Sequence, residues 1–77
     1  MNKSRRKNIE DIISKLEELK SDIESIRDEE QEAYDNMPEG LQSSQKGENM
    51  ESAISSLDYA YDQLDDAISS LNEAIEY

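Results

Sequence analysis

From Ala53 the chain reads AISSLDY, AYDQLDD, AISSLNE, AI, so an alanine returns at Ala53, Ala60, Ala67 and Ala74. The larger apolar residues Ile54, Leu57, Tyr61, Leu64, Ile68, Leu71 and Ile75 fall alternately three and four residues apart. Such a heptad seam predicts a helix that buries one stripe against another helix. The same alternation runs through Ile9, Ile12, Leu16, Leu19, Ile23 and Ile26 and continues in frame through Glu30, Ala33 and Met37. It stops at Pro38, which disfavours helical geometry in the residue before it, and both glycines, Gly40 and Gly47, follow. The pattern predicts an all-α fold, an antiparallel two-helix coiled-coil hairpin forming a single domain, 1–77. Its parts are a basic N-terminal arm at 1–7, helices at 8–37 and 50–76, and a connection at 38–49. A short helical turn suits Glu39 to Gln42, and Ser43 or Ser44 is placed to cap the second helix. Gly47 leaves the exact start of that helix open.

Heptad letters turn the pattern into a register. Ile9, Leu16, Ile23 and Glu30 take position a, and Ile12, Leu19, Ile26 and Ala33 take d; in the second half Ile54, Tyr61, Ile68 and Ile75 are a, and Met50, Leu57, Leu64 and Leu71 are d. Matching a to d in an antiparallel pair sets Leu16 against Leu71, Leu19 against Ile68, Ile23 against Leu64 and Ile26 against Tyr61, with Ile12 against Ile75. The e columns then face each other, which brings Lys20 beside Asp65 and Arg27 beside Asp58. These charge pairs were not used to choose the register, so they support it independently, each worth about 0.2–1 kcal/mol when exposed. Glu30 interrupts the first seam opposite Leu57. The expectation is a local splay that lets its carboxylate reach water.

The alanine column Ala53, Ala60, Ala67 and Ala74 lies at g, beside the seam, and forms a candidate self-association flank. A lone hairpin leaves this stripe partly in water, along with Ile13 and Tyr34 of the other helix. Two hairpins packed as a four-helix bundle would cover it, so a homodimer is expected. The size of the chain agrees, because 77 residues rarely bury enough apolar surface to offset their conformational entropy.

Composition narrows the chemistry. The chain lacks Cys, His, Trp and Phe, which removes disulfides, thiolate and imidazole metal ligands and the usual nucleophile and base pairs. Asp58, Asp62 and Asp66 stand one turn apart on an outer face, but a straight exposed ladder has no loop to wrap a hard cation. Acid and base work by carboxylates needs a cleft that raises one pKa, which a solvated helix face does not supply. No enzyme activity, cofactor or metal site is expected. Twenty acids stand against eight bases, and four of those bases lie in the first seven residues, so residues 8–77 carry a net charge of −16. That acidity argues against direct nucleic-acid binding and against docking on an anionic membrane. There is no apolar run of the kind a signal peptide or membrane span requires, and a cytoplasmic, bacterial-type setting is expected.

Tyr34, Asp58, Tyr59, Asp62 and Asp66 are the candidate contacts for an unknown protein partner, whereas Tyr61 falls in the seam. Lys3, Arg5, Arg6 and Lys7 are expected to neutralise Glu73, Glu76, the terminal carboxylate and the negative end of the second helix. Around DEEQEAYDNMPEGLQSSQKGE, residues 28–48, together with the heptad tail, the chain resembles a group of small, acidic, uncharacterised helical-hairpin proteins of bacteria, phages and other mobile elements. The resemblance implies a hairpin and a mobile-element setting, and no activity. The expected function is therefore a non-enzymatic, acidic protein–protein interaction module, a phage or mobile-element accessory protein. The alternative is a nucleic-acid mimic that inhibits a DNA- or RNA-binding protein such as a host defence nuclease. For a hairpin about 45 Å long, sixteen charges are too sparse for mimicry by one copy, but two side by side approach the charge spacing of duplex DNA.

Overall fold

The computed structural model describes all 77 residues: α1 is Lys3–Asp35, α2 is Glu39–Gln42 and α3 is Gln45–Glu76. α1 and α3 pack against each other as an antiparallel hairpin, and α2 folds onto the start of α3. The Cα trace measures 58 × 15 × 12 Å, longer than the spacing of apolar residues alone implies. Both long helices extend past their apolar repeats. Asn2 caps α1 by accepting a hydrogen bond from the Arg5 backbone N–H at 2.8 Å, so the basic residues form the first turns of the helix and not a separate arm. No helix is long and apolar enough to cross a membrane.

Hydrogen bonds make the reversal after Pro38 compact. Asn36 closes α1 by donating its N–H to the Glu32 carbonyl at 3.0 Å, and the Tyr34 carbonyl accepts from the Met37 N–H at 3.1 Å and from Gln42 Nε2 at 2.9 Å. Ser44 then starts α3: its Oγ accepts from the Gly47 N–H at 3.4 Å and donates to the Leu41 carbonyl. Gly47 is one of the few buried residues and sits inside the first turn of α3. Its lack of a side chain admits the α2 backbone, because a Cβ there would stand 2.0 Å from the Gln42 carbonyl oxygen. The glycine that obscures the helix start in the sequence is the residue that lets the connection close.

Only Ile54 and Ile68, at 7% and 5% exposure, form a buried apolar core. Both lie at position a of α3, and Met50, Leu57, Tyr61, Leu64, Leu71 and Ile75 flank them half-buried, so α3 uses the expected a and d columns. α1 does not. Its half-buried residues are Arg6, Ile9, Ile13, Leu16, Lys20, Ile23, Arg27, Glu30, Gln31 and Tyr34, all but Gln31 in the a and e columns. The d residues Ile12, Leu19 and Ile26 remain 46%, 53% and 54% exposed. The expectation that Leu19 and Ile26 pack at the heart of the seam is therefore corrected: α1 is rolled about its axis toward its e side. The cause lies in the e side chains, whose hydrocarbon stems cover apolar surface while their polar ends reach partners on α3.

Candidate functional site

Three surfaces run the length of the hairpin, and the e columns build the first. Lys20 Nζ stands 2.8 Å from Asp65 Oδ1, and Arg27 Nε donates to Asp58 Oδ1 at 2.8 Å. One heptad further on, the Tyr34 hydroxyl donates to Glu51 Oε1. Each step of a heptad down α1 thus meets a step of a heptad up α3, which pins the register at three heights. The Lys20 ammonium also lies 5.0 Å from the centre of the Tyr61 ring, close enough for a cation–π contact. The hydrogen bond to Asp65 raises the Lys20 pKa, with partial burial opposing it, and the bond to Asp58 does the same for Arg27. Tyr34 is raised by its hydrogen bond to the Glu51 carboxylate, with desolvation acting in the same direction.

These contacts redistribute the candidate partner residues. Tyr34 is half-buried and bonded to Glu51, and the Asp58 carboxylate is engaged by Arg27, so neither stands free on the surface. Tyr59, 65% exposed, remains outward with Asp62 and Asp66, on the second surface. Glu51 escaped notice as a site residue in the sequence, although continuing the e-column ladder by one heptad from Arg27 and Asp58 would have found it.

The basic start forms no ion pair with Glu73 or Glu76, and its contact with that end of the hairpin runs through Tyr77. Lys7 pairs with Asp11 one turn along its own helix at 3.7 Å, and the Met1 ammonium donates to the Tyr77 carbonyl oxygen at 2.9 Å. The largest concavity, about 620 Å³, opens along this turn and is lined by Lys3, Ser4, Arg6, Lys7, Asn8 and Glu10, with no apolar wall of the kind small-molecule sites use. Glu30 is half-buried.

The third surface lies opposite the e-column ladder. It combines the exposed d residues of α1 with the alanine column of α3, in which Ala53 and Ala67 are exposed and Ala60 and Ala74 half-buried. Fold and surfaces together define a helical hairpin whose polar reach is spent closing one edge, leaving an acidic face and an apolar face outward. No family model matches the chain, and no curated protein or solved structure matches it.

Proposed function

We propose that the protein is a non-enzymatic interaction module, an accessory protein of a phage or other mobile element, that self-associates and offers its acidic face to a protein partner. The observation that carries this reading is the outward set Tyr59, Asp62 and Asp66. It holds an aromatic ring at 65% exposure among carboxylates that no cation of the hairpin engages. An exposed tyrosine supplies rigid contact area with a hydrogen-bonding end, and surrounding acids select a basic partner by steering and by repelling acidic ones. The test is affinity capture from a bacterial lysate with the wild type and a Tyr59→Ser, Asp62→Asn, Asp66→Asn variant whose helicity is unchanged. Loss of the same captured protein from the variant supports the reading, and its undiminished capture refutes it.

Charge density favours one further reading. Over 58 Å, twelve net charges give one per about 4.8 Å for a single hairpin, and two side by side give one per about 2.4 Å, within about 1.5-fold of the ~1.7 Å of duplex DNA. In that reading the dimer is a nucleic-acid mimic. Its partner would be displaced by added DNA and by raised salt, whereas a partner of the tyrosine-centred face would resist competing DNA.

A further inference from the structure

The register pinned by Lys20 with Asp65 and Arg27 with Asp58 has a second consequence on the opposite side of the hairpin. It sets Ile12 level with Ala74, Leu19 level with Ala67, and Ile26 level with Ala60. Each exposed large residue of α1 therefore shares its height with a small residue of α3. Rotating a copy about a two-fold axis parallel to the helices lays its α3 over α1 of the first hairpin at the same heights. Each isoleucine or leucine then meets an alanine, and the contact is reciprocal, as a two-fold interface requires. Large against small is the arrangement that lets two helical layers interdigitate closely.

Charge points the same way. In α3 from Asn49 onward, the alanine column and the column beyond it, Asn49, Ser56, Gln63 and Ser70, carry no charge, although 36% of the chain is charged. Two copies of net charge −12 repel each other, and the uncharged α3 half of this face keeps like charges from meeting directly across it. The axis parallel to the helices places the α1 flank residues Lys15, Asp22 and Glu29 opposite Ser70, Gln63 and Ser56 of the second copy. An axis perpendicular to the helices would instead stack α1 on α1, large residue against large residue, and lose the large-against-small match. The Cα extents of 58 × 15 Å bound the face at about 870 Å², so an interface of standard size, about 800 Å² per partner, fits on it when it runs nearly the full length of the hairpin.

We infer that the face made of the α1 d column and the α3 alanine column is a homodimer interface, in which α1 of each copy lies over α3 of the other in a four-helix bundle. This rests on the self-association proposed above and specifies its geometry. It leaves Tyr59, Asp62 and Asp66 of both copies facing outward, so dimerisation and partner contact do not compete.

The absence of cysteine makes a disulfide test clean. Leu19→Cys and Ala67→Cys proteins, each confirmed helical, are mixed, equilibrated and oxidised, with Ser21→Cys on the outer face of α1 as background. The expected result is cross-linked dimer from the mixture and no more than background from either variant alone. Leu19→Lys gives a second measure: a folded protein whose light-scattering mass drops from dimer to monomer. A wild type that is monomeric at micromolar concentration overturns self-association and this geometry together. A dimeric wild type whose Leu19→Cys variant links to itself, or whose Leu19→Lys variant keeps the dimer mass, overturns the geometry and leaves self-association standing.

Discussion

Gly47 lies against the backbone of Gln42 so closely that a Cβ at position 47 would stand 2.0, 2.5 and 2.7 Å from the Gln42 carbonyl oxygen, carbonyl carbon and Cα. In an open helix, replacing glycine by alanine gains about 1 kcal/mol. Here the obstruction is backbone, which cannot rotate aside as a flexible side chain would, and overpacking of this kind costs about 1–3 kcal/mol or more. Gly47→Ala is therefore expected to lower stability despite its better helix propensity. Gly40→Ala, with nothing within 4 Å of its Cβ, is expected to be neutral or slightly stabilising. Urea unfolding of both variants checks the contrast, and a Gly47→Ala protein as stable as the wild type would show that α2 does not hold this position.

The burial of Ile68 and the exposure of Leu19 predict unequal costs for similar truncations. Ile68→Ala removes most of a side chain that is 5% exposed and should cost about 2–5 kcal/mol. Leu19→Ala, at 53% exposure, should cost less than about 1 kcal/mol at concentrations low enough to dissociate any dimer. Thermal melts of dilute samples followed by circular dichroism give the comparison. Equal losses would mean that α1 is not rolled toward its e column.

Alkaline pH should weaken the e-column edge. The folded state holds the Tyr34 and Lys20 protons more tightly than the unfolded chain does, because each proton serves a hydrogen bond to a carboxylate. A raised folded pKa contributes stability that is fully present below the unfolded value, near 10 for tyrosine and 10.4 for lysine, and is lost as pH rises through the folded value. The melting temperature should thus hold its share from these groups up to about pH 9 and lose it above about pH 10. Tyr34→Phe should flatten part of that decline. Parallel declines in wild type and variant between pH 9 and 11 would remove Tyr34 from the account.

Salt and mild acid should both stabilise the protein. A net charge of −12 on two thin helices opposes compactness, and the Lys20 and Arg27 ion pairs end on the solvent-open carboxylates of Asp65 and Asp58, where a single pair contributes little. Screening reaches about 8 Å at 0.15 M ionic strength, the scale of the spacing between neighbouring carboxylates on one helix face. The melting temperature at pH 7 is therefore expected to rise as sodium chloride is added, and to rise again as pH is lowered toward 5. A fall along either axis would mean that the specific ion pairs outweigh the repulsion.

Much of this architecture was legible in the heptads. Helical periodicity, the reversal after Pro38 and the antiparallel register follow from where apolar and charged residues recur, because an uninterrupted helix carries each side chain to a predictable height and face. Lys20 meets Asp65 and Arg27 meets Asp58 as the letters predicted, since a register is a one-dimensional property that a few well-placed pairs settle. The helix ends were less legible. Asn2 and Ser44 cap earlier than the apolar repeat suggests, because a helix continues through polar residues as far as its terminal N–H groups find partners.

What only the tertiary structure decided is the roll of α1. Columns d and e flank column a almost symmetrically, and the apolar pattern favours d, with Ile12, Leu19 and Ile26. Packing chose e, where Lys20, Arg27 and Tyr34 combine long, coverable stems with hydrogen-bonding ends that Asp65, Asp58 and Glu51 receive. That choice depends on the distance and acids of the facing helix, which one helix's sequence does not contain. It drew Tyr34 and Asp58 into the hairpin's own edge and turned Leu19 and Ile26 from expected seam residues into exposed surface. The alternating spacing determined that α1 would have a buried stripe, and the surface of α3 determined which stripe it would be.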